Sequence, residues 1–255
     1  WWLRQFYQHT YGFTGHANDM FVDPGLPVTL DLMLRDAAYV ATVSDFTASW
    51  LREKFPARAA KVHRVYNGLD LSTISQQTVG KPKALLLEGY VWDIEEGPAL
   101  ARKAAEIARQ NGTAVALSLS DSYCVERHRE SFRDFVLNDA DIVVADEDEI
   151  FELIGSDDMG VAIRELSAFE ALFAVTRSEK GSVIIHGDTV VEQEAAFVKN
   201  VVDTTGAGDA YAAGFLYGWA NDRSLADCAR YGTHCATHVI QQIGARVEKG
   251  LLDDV

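Results

Sequence analysis

Cysteine is scarce in this chain: three residues of 255, Cys124, Cys228 and Cys235. An odd, sparse set suits a reducing cytoplasm rather than a disulfide framework. No apolar run approaches the roughly 18 residues that span a bilayer, and no signal-peptide pattern opens the chain. Positive charge is also short, with 23 Lys and Arg against 38 Asp and Glu and a net charge of −15. That balance argues against nucleic acid or an anionic membrane as partner. Trp1 stands where an initiating Met would, so the natural start is expected upstream. What is present is ordinary: 48% hydrophobic and 24% charged residues. Such a composition excludes global disorder and supports a real core in one large or two small domains.

The charge is unevenly placed. Residues 1–80 carry 7 basic and 7 acidic side chains, whereas residues 81–255 carry 16 and 31, so the whole imbalance lies in the second part. Between them runs Leu71-Ser-Thr-Ile-Ser-Gln-Gln-Thr-Val-Gly80, polar and free of charge, followed by Lys81-Pro82-Lys83. This reads as a junction at 73–83 between a first piece, 1–72, and a second, 84–255, or else as a polar loop within one domain.

In the second part apolar strands alternate with helices. Short apolar runs predict strands at Ala84–Glu88, Ala114–Ser118, Asp141–Ala145 and Leu172–Thr176. Ser182–His186 and Thr189–Val191 flank Gly187-Asp188 as a hairpin. Helical spacing predicts helices at Pro98–Gln110, Cys124–Leu137, Glu147–Ile154, Met159–Phe169, Ala207–Trp219 and Ser224–Gln242. A further β-rich segment is expected at Ala195–Val202. The pattern implies an α/β fold, a mainly parallel sheet with helices on both faces and ligands beyond the carboxyl ends of the strands.

The densest chemical signal is Val202-Asp-Thr-Thr-Gly-Ala-Gly-Asp209, just ahead of a predicted helix. Gly206 and Gly208 let the backbone turn sharply and approach a ligand closely. Their amides, with that of Ala207, would point out of the helix start and suit a phosphate. Asp209 stands where a carboxylate could accept a proton from a substrate hydroxyl, and a loose phosphoryl-transfer transition state tolerates a weak base. The bland alternative is a Gly-rich turn with an acidic helix start.

Asp203-Thr-Thr-Gly-Ala-Gly-Asp209, continued by Ala210-Tyr-Ala-Ala-Gly-Phe215, resembles the C-terminal signature of the PfkB/ribokinase family of ATP-dependent sugar and nucleoside kinases. Leu87-Glu-Gly-Tyr90, Asp146-Glu-Asp-Glu149, Thr176-Arg-Ser-Glu-Lys-Gly181 and Ile243-Gly-Ala-Arg246 extend the likeness over about 84–248. The resemblance implies a ribokinase-like fold with Asp209 as catalytic base and Gly206, Ala207 and Gly208 as the anion hole for ATP. It implies Thr176, Gly181 and His234 on the nucleotide side, and Asp146 and Glu149 ordering water on Mg2+. Asp203 and Thr205 would lie near a monovalent cation, K+, in members that use one. Asp146 replaces the family's Asn, and Ser178 replaces the first Gly of its Thr-x-Gly-x-x-Gly. Only the nucleotide-side half is matched, so the acceptor site is not visible and turnover is expected to be poor.

Residues 10–71 are similar to something else. Tyr11-Gly-Phe-Thr-Gly-His-Ala-Asn-Asp-Met20, Ala41-Thr-Val-Ser-Asp-Phe46 and Lys61-Val-His-Arg-Val-Tyr-Asn-Gly-Leu-Asp70 resemble part of a retaining GT-B glycosyltransferase, with His16 near its acceptor. The donor-sugar domain has no counterpart, so sugar transfer is not expected. His234 and His238 share a helix face, but no His-Glu-x-x-His arrangement or third ligand accompanies them, and ordinary helix residues are the simpler reading. Two functional classes remain: phosphoryl transfer from ATP-Mg to a small sugar or nucleoside in the cytoplasm, or a non-catalytic remnant that at most binds nucleotide. Neither the acceptor nor the oligomeric state is legible.

Overall fold

A computed structural model describes residues 82–245 continuously and, before them, residues 12–15, 39–42, 49 and 52–64. The chain divides into two compact units, 1–70 and 71–255. In the first, β1 (Gly12–Gly15), β2 (Tyr39–Thr42) and β3 (Val62–Arg64) form a parallel sheet in that order, and a 3-10 helix at Pro56–Lys61 precedes β3. His16 lies outside the described residues.

The second unit is a six-stranded sheet in sequential order. β4 (Ala84–Glu88), β5 (Ala114–Ser118), β6 (Ile142–Asp146) and β7 (Leu172–Thr176) are parallel. β8 (Ser182–His186) and β9 (Thr189–Gln193) close the sheet as an antiparallel hairpin. Strand residues are apolar on both faces because both faces are covered. Leu117, Val143, Phe173 and Val183 point into one core with α1 (Gly97–Gln110), α2 (Ser122–Asn138), α3 (Glu147–Ile154) and α4 (Met159–Leu166). Ala116, Val144, Ala174 and Ile184 point into the other, with α5 (Ala207–Ala220) and α6 (Leu225–Val239). The expected mainly parallel α/β sheet with helices on both faces is therefore present.

Local chemistry sets the boundaries. Asp121 caps α2 by accepting from the Tyr123 and Cys124 amides, so that helix starts two residues before the sequence pattern suggested. The helix predicted to reach Gln242 stops at Val239, and the one predicted to reach Phe169 stops at Leu166. Lys83 already belongs to the sheet unit, since its carbonyl accepts from Ala114 N at 3.0 Å.

The β-rich segment expected at Ala195–Val202 is not a strand. Residues 194–206 contain neither helix nor strand, and Phe197 is 92% exposed. Instead of pairing with a strand, the Val202 amide reaches Ile240 O at the end of α6 (2.8 Å). No helix among the described residues is long and apolar enough to cross a membrane.

Candidate nucleotide and phosphoryl-transfer site

The carboxyl ends of β4–β7 form one edge of the sheet, and most of the chemically suggestive residues meet there. The start of α5 is fastened to this edge by the buried Tyr211 hydroxyl, which donates to Ser182 Oγ at 2.8 Å. Ser182 opens β8 directly opposite Thr176, the last residue of β7. Burial pushes the Tyr211 phenol up to about 12, against the opposing effect of its hydrogen bond to Ser182.

The turn before α5 is built by Asp203. Its carboxylate accepts from the Thr205 amide at 2.9 Å and from the Gly244 amide at 3.0 Å, tying the loop to the segment after α6. Hydrogen bonds from Thr205, then that of Gly244, hold the Asp203 carboxyl below its usual range. Gly206 is the helix N-cap in the left-handed region, φ +78, and a Cβ there would collide with Ala245. Only glycine serves at that position.

Gly208 is different. It sits in the helical first turn, and a Cβ built on it would meet nothing within 4 Å. The fold itself does not ask for glycine here, although glycine in a helix costs about 0.5–1 kcal/mol relative to alanine. No side chain caps α5. The Ala207 amide donates to Thr204 O at 3.1 Å, so it is engaged within the turn rather than left for a ligand, a departure from the three-amide anion hole read from the sequence. The amides of Gly208 and Asp209 lie in the first turn, where no intrahelical carbonyl reaches them. Both residues are exposed, and Asp209 is the one acid of that turn.

The start of α3, at the end of β6, is closed. Asp146 Oδ1 accepts from the Glu149 amide at 2.8 Å, and Glu149 Oε2 accepts from the Asp146 amide at 2.9 Å, a reciprocal capping box. Burial and then the Asp146 charge push the Glu149 carboxyl up to about 8. Burial also raises Asp146. Among the described residues neither carboxylate pairs with Lys, Arg or His. Two desolvated, uncompensated carboxylates form an oxygen donor set that fits a hard cation such as Mg2+.

Between these starts lies the loop Thr176–Gly181. The Arg177 amide donates to Gly181 O at 2.7 Å. Ser178, standing where the resembling family has Gly, adopts φ +51, the left-handed region that favours glycine. Gly181 has φ +86, and a Cβ there would collide with Gln193 O, so glycine is required. Glu147 clamps the loop by accepting from Arg177 Nε at 3.3 Å and Lys180 Nζ at 2.9 Å. Burial would raise the Glu147 carboxyl, but these two cations outweigh it and hold it low. His234 is half-buried in the middle of α6.

Tyr90 received no role in the sequence beyond its place in a motif. Its hydroxyl donates to Ser120 O at 3.1 Å, and burial, then the charges of Asp121, Glu149 and Asp209, push its phenol up to about 12. It therefore stands within the field of both helix starts. Ser120, φ +72, accepts from the Gly89 amide at 2.8 Å and locks the ends of β4 and β5 together. No sequence pattern marked Ser120, because Ser is not a residue that signals positive φ. A separate cleft of about 590 Å³, lined by Asp141, Ala171, His186 and Trp219 among others, lies at the amino-terminal ends of the parallel strands, away from these residues.

An open helix start carrying an acid thus stands beside a closed pair of carboxylates at the carboxyl edge of a parallel sheet. The chain belongs to the pfkB family of carbohydrate kinases, whose profile matches residues 64–249. That match begins upstream of the boundary at 84 read from the sequence, and inside the stretch 10–71 that resembled a glycosyltransferase. The glycosyltransferase resemblance gains no support.

Among curated relatives, the cytidine kinase of Thermococcus kodakarensis is 34% identical over 141 residues, 53% of this chain and 50% of that protein. The crystal structure of adenosine kinase from Sinorhizobium meliloti is 32% identical with a TM-score of 0.70, covering 85% of this chain and 76% of the other. A Vibrio cholerae fructokinase solved with fructose, ADP and calcium shares the fold at 18% identity and a TM-score of 0.57, over 81% of each chain. The chain spans about half the length of the curated relatives it matches. Kinases of this family use ATP with a divalent metal.

Proposed function

We propose that this chain carries the nucleotide side of an ATP-dependent kinase that phosphorylates a hydroxyl of a small nucleoside or sugar. The observation that carries the reading is Gly208: a glycine the fold does not need, in an open space, at an uncapped helix start next to exposed Asp209. In this reading the Gly208 and Asp209 amides, with the dipole of α5, receive the transferring phosphoryl group. The third donor comes from Gly206 rather than Ala207, whose amide is engaged by Thr204.

Asp209 takes the acceptor hydroxyl's proton as the new O–P bond forms. The bond between the γ-phosphorus and its bridging oxygen breaks, and ADP leaves. Asp146 and Glu149 would hold Mg2+ through water, and the ion when bound supplies positive charge against the polyphosphate. Thr176, Gly181 and His234 lie on the nucleotide side, and Asp203 and Thr205 mark the place of a monovalent cation, K+. Nucleosides and sugars are tested side by side, since relatives above 30% identity include a cytidine kinase and an adenosine kinase as well as two proteins described only as sugar kinases. A cytoplasmic location fits such a substrate.

The test is ADP release from ATP-Mg with cytidine, adenosine and a panel of pentoses and hexoses, alongside calorimetric titration with ATP-Mg. Turnover on any of them that Asp209→Asn abolishes supports the reading. A folded chain that does not bind ATP overturns it, and one that binds ATP but turns over no acceptor reduces it to a nucleotide-binding module.

A further inference from the structure

Away from the helix starts, three different ligand types converge. Asp93 ends the 3-10 turn Gly89–Asp93 that follows β4, and Cys124 and His128 lie one helical turn apart on α2. One ligand atom of each, a carboxylate oxygen, Sγ and an imidazole nitrogen, all lie within 4.8 Å of one another. His128 Nε2 is 3.0 Å from Asp93 Oδ1. At His128 the backbone leaves helical geometry (φ −121, ψ 20), interrupting α2 at the residue that meets Asp93.

The surroundings hold this constellation in place. Trp92 stacks on Phe132 with centroids 4.4 Å apart and donates Nε1–H to Ser131 Oγ at 3.0 Å, fixing the turn to α2. Arg127 donates to both Asp93 oxygens, at 2.7 Å to Oδ2 and 3.2 Å to Oδ1. A cation beside the carboxylate opposes a second one, so charge has to be counted. A divalent ion with the Asp93 carboxylate and a Cys124 thiolate forms a neutral centre, and Arg127 then faces no net like charge. Its role becomes that of the outer partner that orients a ligating carboxylate.

We propose that Asp93, Cys124 and His128 bind a divalent cation of the zinc class, fastening the β4–α1 connection to α2 at a site separate from the nucleotide's magnesium. The donor set is one sulfur, one nitrogen and one oxygen, which suits Zn2+ and not Mg2+. Zinc–ligand lengths of about 2.0–2.3 Å in a tetrahedron put ligand atoms roughly 3.3–3.8 Å apart, so Nε2 and Oδ1, now 3.0 Å apart, separate slightly, in a group whose ligand atoms already lie within 4.8 Å of one another. The ion sits between Nε2 and Oδ1, with the imidazole as its Nδ1–H tautomer so that Nε2 offers a lone pair. Sγ, which donates to Gly89 O at 3.4 Å, loses its proton to solvent. Metal and proton compete for the thiolate, so binding weakens as pH falls. His128, 31% exposed, is the route in, and water completes the fourth position.

The experiment is titration of the tag-free, EDTA-treated chain with ZnCl2 by calorimetry, with the melting temperature followed in parallel. One equivalent binds in the presence of excess Mg2+, and the melting temperature rises by about 5 °C when zinc exceeds Kd a hundredfold. Co2+ in place of zinc shows a thiolate-to-cobalt charge-transfer band. His128→Asn, at a partly exposed site and thus tolerated by the fold, weakens binding at least tenfold. Cys124→Ser removes the cobalt band. The proposal is overturned if no stoichiometric binding occurs, if the band is absent, or if folded His128→Asn binds zinc like the parent, whatever the fate of Cys124→Ser.

Discussion

Two helices begin at the same edge of the sheet and treat their first turns in opposite ways. α3 opens with Asp146 and Glu149 satisfying each other's backbone amides and with three acids in its first turn. α5 opens with Gly206, no side-chain cap, and a single acid, Asp209. A helix start is a partial positive charge and a set of spare donors. α3 consumes both internally and sets two carboxyl groups at its start, of which Glu149 gives up its proton only near pH 8, so a cation bound there would have to displace that proton. α5 leaves both available, which calls for an anion. In the proposed function the two starts take the two halves of a metal–polyphosphate, the metal at α3 and the phosphate at α5.

The largest effect belongs to the open start. Asp209→Asn should cut any phosphoryl transfer by about 10²–10⁴-fold, the usual contribution of a positioned base. ATP binding should hold or tighten, because a negative charge beside the polyphosphate is gone. ADP release paired with calorimetry checks this, and parallel loss of binding would show that Asp209 serves the fold instead.

The closed start should reveal itself through pH. Glu149 holds its proton to about pH 8 when folded against an ordinary 4.5 when unfolded. The native state therefore carries more bound proton between these values, and stability falls as pH rises from about 4.5 to about 8. Glu149→Gln should remove that slope. It should be more stable than the parent at pH 8, by on the order of 2 kcal/mol, and similar at pH 4.5. Urea unfolding across this range measures it, and a variant with the parent's slope refutes the assignment.

Gly208→Val should weaken ATP binding at least tenfold, about 1.4 kcal/mol, because a branched side chain occupies the open space beside the donors. The fold should be no less stable, since valine is a better helix former than glycine. Circular dichroism and calorimetry on the same sample test both halves, and unchanged ATP affinity would reduce the motif to a helix start.

The smallest effect is expected at Asp146→Asn. Asparagine caps as well as aspartate, so stability at pH 5 should move by less than about 0.5 kcal/mol. With the Asp146 charge gone, the pH range of the stability loss should slide toward acid. A range unmoved by the substitution would separate the two carboxylates electrostatically.

Much of the carboxyl-terminal unit was legible because each element announces itself locally. Ala114–Ser118, Leu172–Thr176 and Glu147–Ile154 coincide with the residues the apolar runs and acidic start picked out. Ala195–Val202 misled, since Val and Phe favour strands only where a neighbour offers a ladder, and here none does. The motif around Gly206–Asp209 located the open helix start, but not the engagement of the Ala207 amide by Thr204. Tyr90, Ser120 and the meeting of Asp93 with Cys124 and His128 depend on pairings 30 or more residues apart, which no local pattern encodes.

The bond from Tyr211 to Ser182 carries a mechanical consequence. It unites the helix that presents the phosphate donors with the β7–β8 loop containing Thr176 and Gly181, while Glu147 clamps that same loop to the start of α3. The start of α3, the β7–β8 loop and α5 are thus linked in series by side-chain contacts, so a substitution that breaks either link should loosen the loop from one of the two helices.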